Sequence, residues 1–195
     1  MYTKPKNSMG WIEIICGSMF SGKTEELIRR IKRAKIANQT VHIFKPEMEV
    51  RYHKEKIVSH DDNQIDSTPI HDPKEILKLA DSVDVIGIDE AQFFSPNLAE
   101  VCNQLANKNK RIIIAGLDMD FLGNPFGVMP NLMAMAELVT KVHAICMNCG
   151  SEAQFSYRFS NAGDQVKLGE KDLYEPRCRT CFNQGMEKQQ LDTDK

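Results

Sequence analysis

The feature that most constrains this chain is the octapeptide Gly17-Ser18-Met19-Phe20-Ser21-Gly22-Lys23-Thr24. It reads G-x-x-x-x-G-K-T, the phosphate-binding loop pattern. Glycines let the backbone curl so that successive N–H groups point inward at phosphate oxygens. Lys23 would set an ammonium against the terminal phosphates, and Thr24 would offer a hydroxyl to Mg²⁺. Such a loop must follow a strand and open a helix, whose N-terminal dipole also favours an anion. Both flanks comply: Trp11-Ile12-Glu13-Ile14-Ile15-Cys16 is apolar and of strand length, and Leu27, Ile28, Ile31 and Ala34 recur at helical spacing among Lys and Arg. The competing reading is an ordinary glycine-rich turn between strand and helix, and the rest of the chain decides between them.

With 195 residues, 42% of them hydrophobic, the chain can build one α/β domain and a small appendage. A net charge of −2 and a pI near 6.2 give no global field for nucleic acid or an acidic membrane. The N-terminus lacks an apolar signal core and no run approaches membrane-spanning length, so a cytoplasmic location is expected. There the six cysteines are poor candidates for structural disulfides.

Strand and helix signals alternate along the chain. Asn38 offers a helix stop and Val41–Phe44 reads as a second strand. From Lys45 to Thr68 the pattern dissolves into charge, as in a solvated loop or a lid over a nucleotide. Asp72-Pro73-Lys74-Glu75 is a helix start with a capping box. Val83–Glu90 is an apolar run ending in two carboxylates, Asp89 and Glu90. Ser95-Pro96 opens a helix with Leu98, Val101, Cys102 and Leu105 on one face, and Arg111–Gly116 is another buried strand. A helix over about Asn131–Val139 and a last strand at Val142–Ile145 complete the pattern. This predicts a parallel, doubly wound sheet flanked by helices, with ligands beyond the carboxyl ends of its strands. The phosphate loop, Asp89-Glu90 and the loop after Gly116 would converge on that edge.

Neighbours on an extended segment point apart. Asp89 is therefore the candidate to hold Mg²⁺ with Thr24, and Glu90 the candidate to accept a proton from an attacking hydroxyl or orient a water. A pair of solvated loop acids is the plain alternative. Cys146-Met147-Asn148-Cys149 and Cys178-Arg179-Thr180-Cys181 are two C-x-x-C knuckles 28 residues apart. Together they can present four sulfurs to one tetrahedral Zn²⁺. With no open position, that zinc would be structural; free thiols or a redox pair are the alternatives. The intervening segment carries Phe155, Ser156, Tyr157, Phe159, Val166, Leu168, Gly169 and Tyr174. It can close over a small ligand or pack as a hairpin on its own aromatics. Phe121 and Phe126 would lie near the reactive edge, either stacking on a base or filling core. None of the five histidines clusters with another or with the cysteines, and none is assigned to catalysis.

The combination of Gly17–Thr24, Gly87-Ile88-Asp89-Glu90-Ala91-Gln92-Phe93-Phe94, Gly116-Leu117-Asp118-Met119-Asp120-Phe121, Pro125-Phe126-Gly127 and the two cysteine pairs resembles the zinc-containing type II thymidine kinases, in a bacterial member. The likeness runs from about Trp11 to Cys181. It implies ATP on Gly17–Thr24, with its γ-phosphoryl passing to the 5′-hydroxyl of thymidine and Glu90 as proton acceptor. It implies nucleotide contacts from Asp89, Glu90, Ala91 and Gln92, and, on a looser match, from Glu49, Val50 and Arg51. Met19, Phe93, Leu117, Phe121 and Phe126 match positions lining a thymine pocket. Ser156, Gln165, Val166, Lys167, Leu168, Gly169 and Tyr174 match a lasso that contacts the nucleoside, largely through backbone. Cys146, Cys149, Cys178 and Cys181 match the metal ligands; some relatives have histidine at the last. The resemblance also implies a homotetramer and feedback inhibition by dTTP.

The expected organisation is a leader (1–10), a P-loop α/β domain (11–143), a zinc-binding lasso domain (144–184) and a flexible tail (185–195). One rival is a kinase for another deoxynucleoside on the same scaffold, deoxyuridine first. A second is a P-loop ATPase whose zinc ribbon binds nucleic acid; the acidic pI and the lack of a basic stripe with aromatics oppose it. A third is a nucleotide-binding regulator without turnover, which the Asp89-Glu90 pair opposes.

Overall fold

In the computed structural model, which describes residues 9–47, 56–58, 64–159 and 173–193, the flanks of the octapeptide fold as its chemistry requires. Strand β1 (Trp11–Cys16) runs into the loop and helix α1 (Lys23–Ile36) leaves it. Asn38, at φ 57°, makes the left-handed exit turn after α1. The chain continues through β2 (Val41–Pro46), β3 (Lys56–Val58), β4 (Gln64–Asp66), β5 (Thr68–Ile70) and α2 (Lys74–Leu79). Then follow β6 (Val85–Ile88), a 3₁₀ turn (Ala91–Phe93), α3 (Leu98–Asn107), β7 (Arg111–Gly116), α4 (Met129–Met135) and β8 (Leu138–Lys141). The cysteine-bearing part holds β9 (Ala144–Ile145), β10 (Glu152–Ala153), β11 (Phe155–Arg158), β12 (Tyr174–Arg177) and α5 (Arg179–Thr193).

Six strands form one sheet in the order β5-β2-β6-β7-β1-β8, every pairing parallel. Alternate residues serve the two faces. Ile12, Ile14, Ile86, Ile88, Ile112 and Ile114 pack under α2, α3 and α4, while Ile15, Ile43, Val85, Ile113 and Ala115 pack under α1. The phosphate-loop strand therefore lies inside the sheet, between β7 and the edge strand β8, and β7 separates it from the strand that leads to the acids. Cys16 is level with both Gly116 and Lys141, and Ile88 with Ile114. Gly17, Asp89, Leu117 and Val142 consequently leave the sheet at the same edge.

One charged group is built into the α1 face. Glu13 is buried and ion-paired with Arg30 of α1 at 2.8 Å and Arg111 of β7 at 2.7 Å. Burial pushes its carboxyl up, but hydrogen bonds and charge from Arg111, with Trp11 and Arg30, prevail and hold it below the usual range. Arg30 reaches on to Glu26 and Thr140. The network ties the phosphate-loop helix to three neighbouring strands.

Several expectations are met and others are corrected. The capping box forms: Asp72 Oδ1 accepts from the Lys74 N–H and Glu75 Oε1 from the Asp72 N–H, both at 2.9 Å. The helix expected over 131–139 is Met129–Met135. Pro130 suits its first turn and Ala136 is already extended. Leu138–Lys141 is instead the edge strand, aligned by Glu137, whose N–H donates to the Ile12 carbonyl and whose carboxylate accepts the Ile12 N–H. The expected last strand at 142–145 therefore lies a few residues too late, and Ala144–Ile145 pairs antiparallel with Glu152–Ala153 in a separate two-stranded sheet. Within the charged stretch 45–68, β3 and β4 pair antiparallel. The expected tail from residue 185 is helical as far as Thr193. Residues 1–8, and the candidate contacts Glu49, Val50, Arg51 and Gln165–Gly169, lie outside the described residues.

Candidate functional site

The loop Gly17–Thr24 is shaped by close approaches that only glycine permits. Gly17 sits at φ 148°, and a Cβ there would stand 2.2 Å from the Val142 carbonyl oxygen. Gly22, at φ 82°, caps α1 in the left-handed conformation. The Ser18 carbonyl accepts from Lys23 Nζ and from Ser21 Oγ, both at 2.7 Å, which draws the loop tight. Lys23 is buried; desolvation pushes its ammonium down against the opposing attraction of Glu90, Asp89 and Asp118. Thr24 is half-buried in the first turn of α1.

The acids stand opposite, at the end of β6. Asp89 is buried and its Oδ1 accepts the Glu90 N–H at 3.0 Å. Glu90, half-buried, adopts φ 51°, a left-handed conformation unusual for a glutamate. Its Oε2 accepts from Gln92 Nε2 at 2.6 Å, and Gln92 Oε1 accepts the Leu117 N–H at 2.9 Å. Asp118, next in line, is buried and paired with Lys141 at 2.7 Å, so the ends of β7 and β8 are bridged across Cys16. Burial, then the Asp118 charge, push the Cys16 thiol up to about 11, as suits a core residue.

Aromatic and apolar side chains flank this edge. Phe93 and Phe126 meet edge to face at 5.7 Å between centroids. Met19, Phe93, Leu117 and Phe126 are half-buried. Phe121 is buried, with the Arg158 guanidinium 3.4 Å from its ring centre. Arg158 is only 1% exposed. No sequence signal singled it out, because an arginine in a polar strand reads as solvated. Tyr174 is buried in β12, which pairs with β11 and its Ser156.

The phosphate loop also leans on the cysteine-bearing part. The Met19 N–H donates to Ser156 Oγ at 3.0 Å, and Ser18 Oγ reaches the Ala153 carbonyl at 3.5 Å. Phe20 packs against the apolar cluster of Ala144, Cys146, Ala153 and Cys181. Three consecutive loop residues thus touch this module.

Cys146 and Cys149 lie on a turn closed by the Gly150 N–H on the Cys146 carbonyl. Cys178 precedes α5 and Cys181 sits in its first turn. The four sulfurs lie within 4.8 Å of one another, and Cys149 and Cys178 at 3.6 Å. That is beyond an S–S bond of about 2.05 Å. It is close to the roughly 3.8 Å edge implied by tetrahedral Zn–S bonds of about 2.3 Å. All four cysteines are free of disulfides. The hydrogen bond with Cys178, then burial, push Cys181 up to about 12, while Ser151 helps bring Cys149 down to about 6. The donor set and spacing fit a thiolate-bound dication.

A parallel α/β sheet with a phosphate loop, paired acids two strands away and an appended four-cysteine module define a P-loop nucleotide-binding protein with a metal-binding appendage. Comparison with known proteins narrows this. The family model "Thymidine kinase" matches residues 10–182. A thymidine kinase of Rhodothermus sp. (strain ITI 518) is 59% identical over 175 residues, covering 90% of this chain and 82% of that one. One from Bacteroides thetaiotaomicron is 61% identical over 173 residues, covering 89% and 87%. A solved structure of the replication initiator DnaA bound to AMPPCP and single-stranded DNA is 17% identical, covers 70% of this chain and 41% of its own, and has a TM-score of 0.46, a likeness too slight to bear on function. The chain belongs to the thymidine kinase family.

Proposed function

We propose that this protein transfers the γ-phosphoryl group of ATP to the 5′-hydroxyl of thymidine, giving dTMP and ADP. The observation that carries the reading is the convergence of Lys23, Asp89 and Glu90 on one sheet edge in a chain of this family. Gly17–Thr24 cradles the phosphates through backbone N–H groups, with Lys23 on the terminal ones. Thr24 and Asp89 would hold Mg²⁺, which would neutralise charge on the phosphate oxygens. Glu90 accepts the proton of the 5′-hydroxyl as that oxygen bonds to phosphorus and the bond to the ADP oxygen breaks. Because the transfer is mainly electrostatic, placement of these groups matters more than covalent chemistry by the protein.

Met19, Phe93, Leu117, Phe121 and Phe126 form the wall for the thymine ring, with Ser156 and Tyr174 on the module side. Zn²⁺ on the four cysteines is structural. It pins both ends of the segment that recognises the nucleoside and, through Ser18, Met19 and Phe20, braces the phosphate loop. A homotetramer inhibited by dTTP and working in the cytoplasm completes the reading; among the described residues no helix is long and apolar enough to cross a membrane.

The test is a coupled assay of ADP release with ATP and Mg²⁺, adding thymidine, deoxyuridine, other nucleosides and single-stranded DNA in turn. Thymidine-dependent release is expected. Release that responds to DNA and to no nucleoside would make the protein a nucleic-acid-dependent ATPase and overturn the reading.

A further inference from the structure

Gln92, which the resemblance places in the nucleotide-contacting segment, is a buried polar side chain to which the proposed chemistry gives no role of its own. It is 3% exposed, two residues beyond Glu90 in the 3₁₀ turn Ala91–Phe93. Its Nε2 donates to Glu90 Oε2 at 2.6 Å and its Oε1 accepts the Leu117 N–H at 2.9 Å. The two partners fix the amide's orientation: a flip would set its oxygen against a carboxylate and its N–H against an N–H. Two glycines make room for it. A Cβ on Gly116 would stand 2.9 Å from Gln92 Oε1, and one on Gly127 would stand 2.3 Å from the Gln92 carbonyl oxygen. Gly127 is also left-handed at φ 51°. The motifs around Gly87–Phe94, Gly116–Phe121 and Pro125–Gly127 therefore meet at this one side chain.

We propose that Gln92 is a positioning residue: its buried amide aims the Glu90 carboxylate at the acceptor hydroxyl and couples it to the backbone of Leu117 in the nucleoside wall. This rests on the proposed function for its catalytic consequence and not for its structural one. Glu90 stands in a left-handed backbone that Coulomb forces alone would not orient. Lys23 of α1 attracts it, but the same cation attracts Asp89 just beyond β6 and Asp118 just beyond β7, with Asp118 in turn partnered by Lys141 of β8. Against that mixed field a short, charge-assisted hydrogen bond sets the direction. A nucleoside pressing on Leu117 moves the N–H that donates to the same amide, so occupation of the wall is felt at the base.

Without that N–H the Glu90 carboxylate loses the bond that fixes its direction. In Gln92→Met both hydrogen bonds vanish; in Gln92→Glu the Leu117 acceptor and the side-chain volume remain, while the donor is replaced by a like charge. We expect kcat to fall about 10- to 100-fold in Gln92→Met and further in Gln92→Glu, with KM for thymidine changed far less.

Crystal structures of the variants read the placement directly, without any need for activity: the Glu90 carboxylate should leave its wild-type position in both. Thermal melting of each variant separates misfolding from misplacement. A Glu90 carboxylate unmoved in both folded variants would falsify the inference, as would kcat within about twofold of wild type beside a displaced carboxylate. If the wild type itself gives no thymidine-dependent ADP release, the functional reading fails while the variant structures still decide whether Gln92 places Glu90.

Discussion

Glu90 is the residue on which the proposed chemistry turns, and its surroundings say what its replacement does. Glu90→Gln keeps shape and the capacity to bond Gln92, but offers no proton acceptor. We expect thymidine affinity within about threefold of wild type and kcat lower by about 10²–10⁴, the range of a general base. Single-turnover kinetics beside equilibrium binding checks this; near-normal turnover would remove Glu90 from the role. Gly17→Ala is argued from space alone, since its Cβ would meet the Val142 carbonyl at 2.2 Å. The loop or β8 must shift, and ATP binding measured by calorimetry should be lost. The placement of Lys23, Asp89 and Glu90 at one sheet edge was legible in sequence because the glycine loop and the apolar run before the acids mark where strands end. The burial of Gln92, named only as a nucleotide contact, and of Arg158 was not, since a polar side chain announces neither its burial (3% and 1% exposed) nor its partner.

Among the elements, β1 and α1 form the frame of the site, and the Glu13–Arg30–Arg111 network holds them together. Arg30→Met leaves Glu13 buried with one cation fewer and should destabilise by about 2–3 kcal/mol. The sign with pH follows from the carboxylates. Glu13 is held below its ordinary range, and Glu26 is held at about 2, chiefly by Arg29 against the opposing effect of burial, with Arg30 assisting. Their contribution is present above the ordinary glutamate range and is lost as pH falls through their folded-state values. Denaturant midpoints measured from pH 6 down to about 2 should therefore fall for the wild type. They should fall less steeply for Arg30→Met; parallel curves would count against the network. The capping box at Asp72 and the apolar stripe of α3 were legible because their signals are local. The strand β8 was not, because Leu132, Met135, Leu138 and Val139 also repeat at helical spacing. The free edge of β1, which only the folded sheet offers, decides against helix. The sheet order, with β7 between β1 and β6, is likewise a property of pairing and not of any one segment.

Across the whole molecule, the contacts of Ser18, Met19 and Phe20 with the cysteine-bearing part join the two halves of the proposed active site. Stripping zinc with a strong chelator should weaken ATP as well as thymidine, each by at least about tenfold in calorimetric titrations. Readdition of zinc should restore both. ATP affinity that survives metal removal would show the phosphate loop to be self-supporting. Cys181→His should keep the metal, since imidazole is an equally good zinc ligand, whereas Cys146→Ala should lose it. The central claim is the transfer itself, and phosphorus NMR of the reaction mixture tests it most directly. With ATP, Mg²⁺ and thymidine, a phosphomonoester signal of dTMP should grow in step with ADP and be absent with Glu90→Gln. Growth of inorganic phosphate alone, with thymidine unchanged, would contradict it.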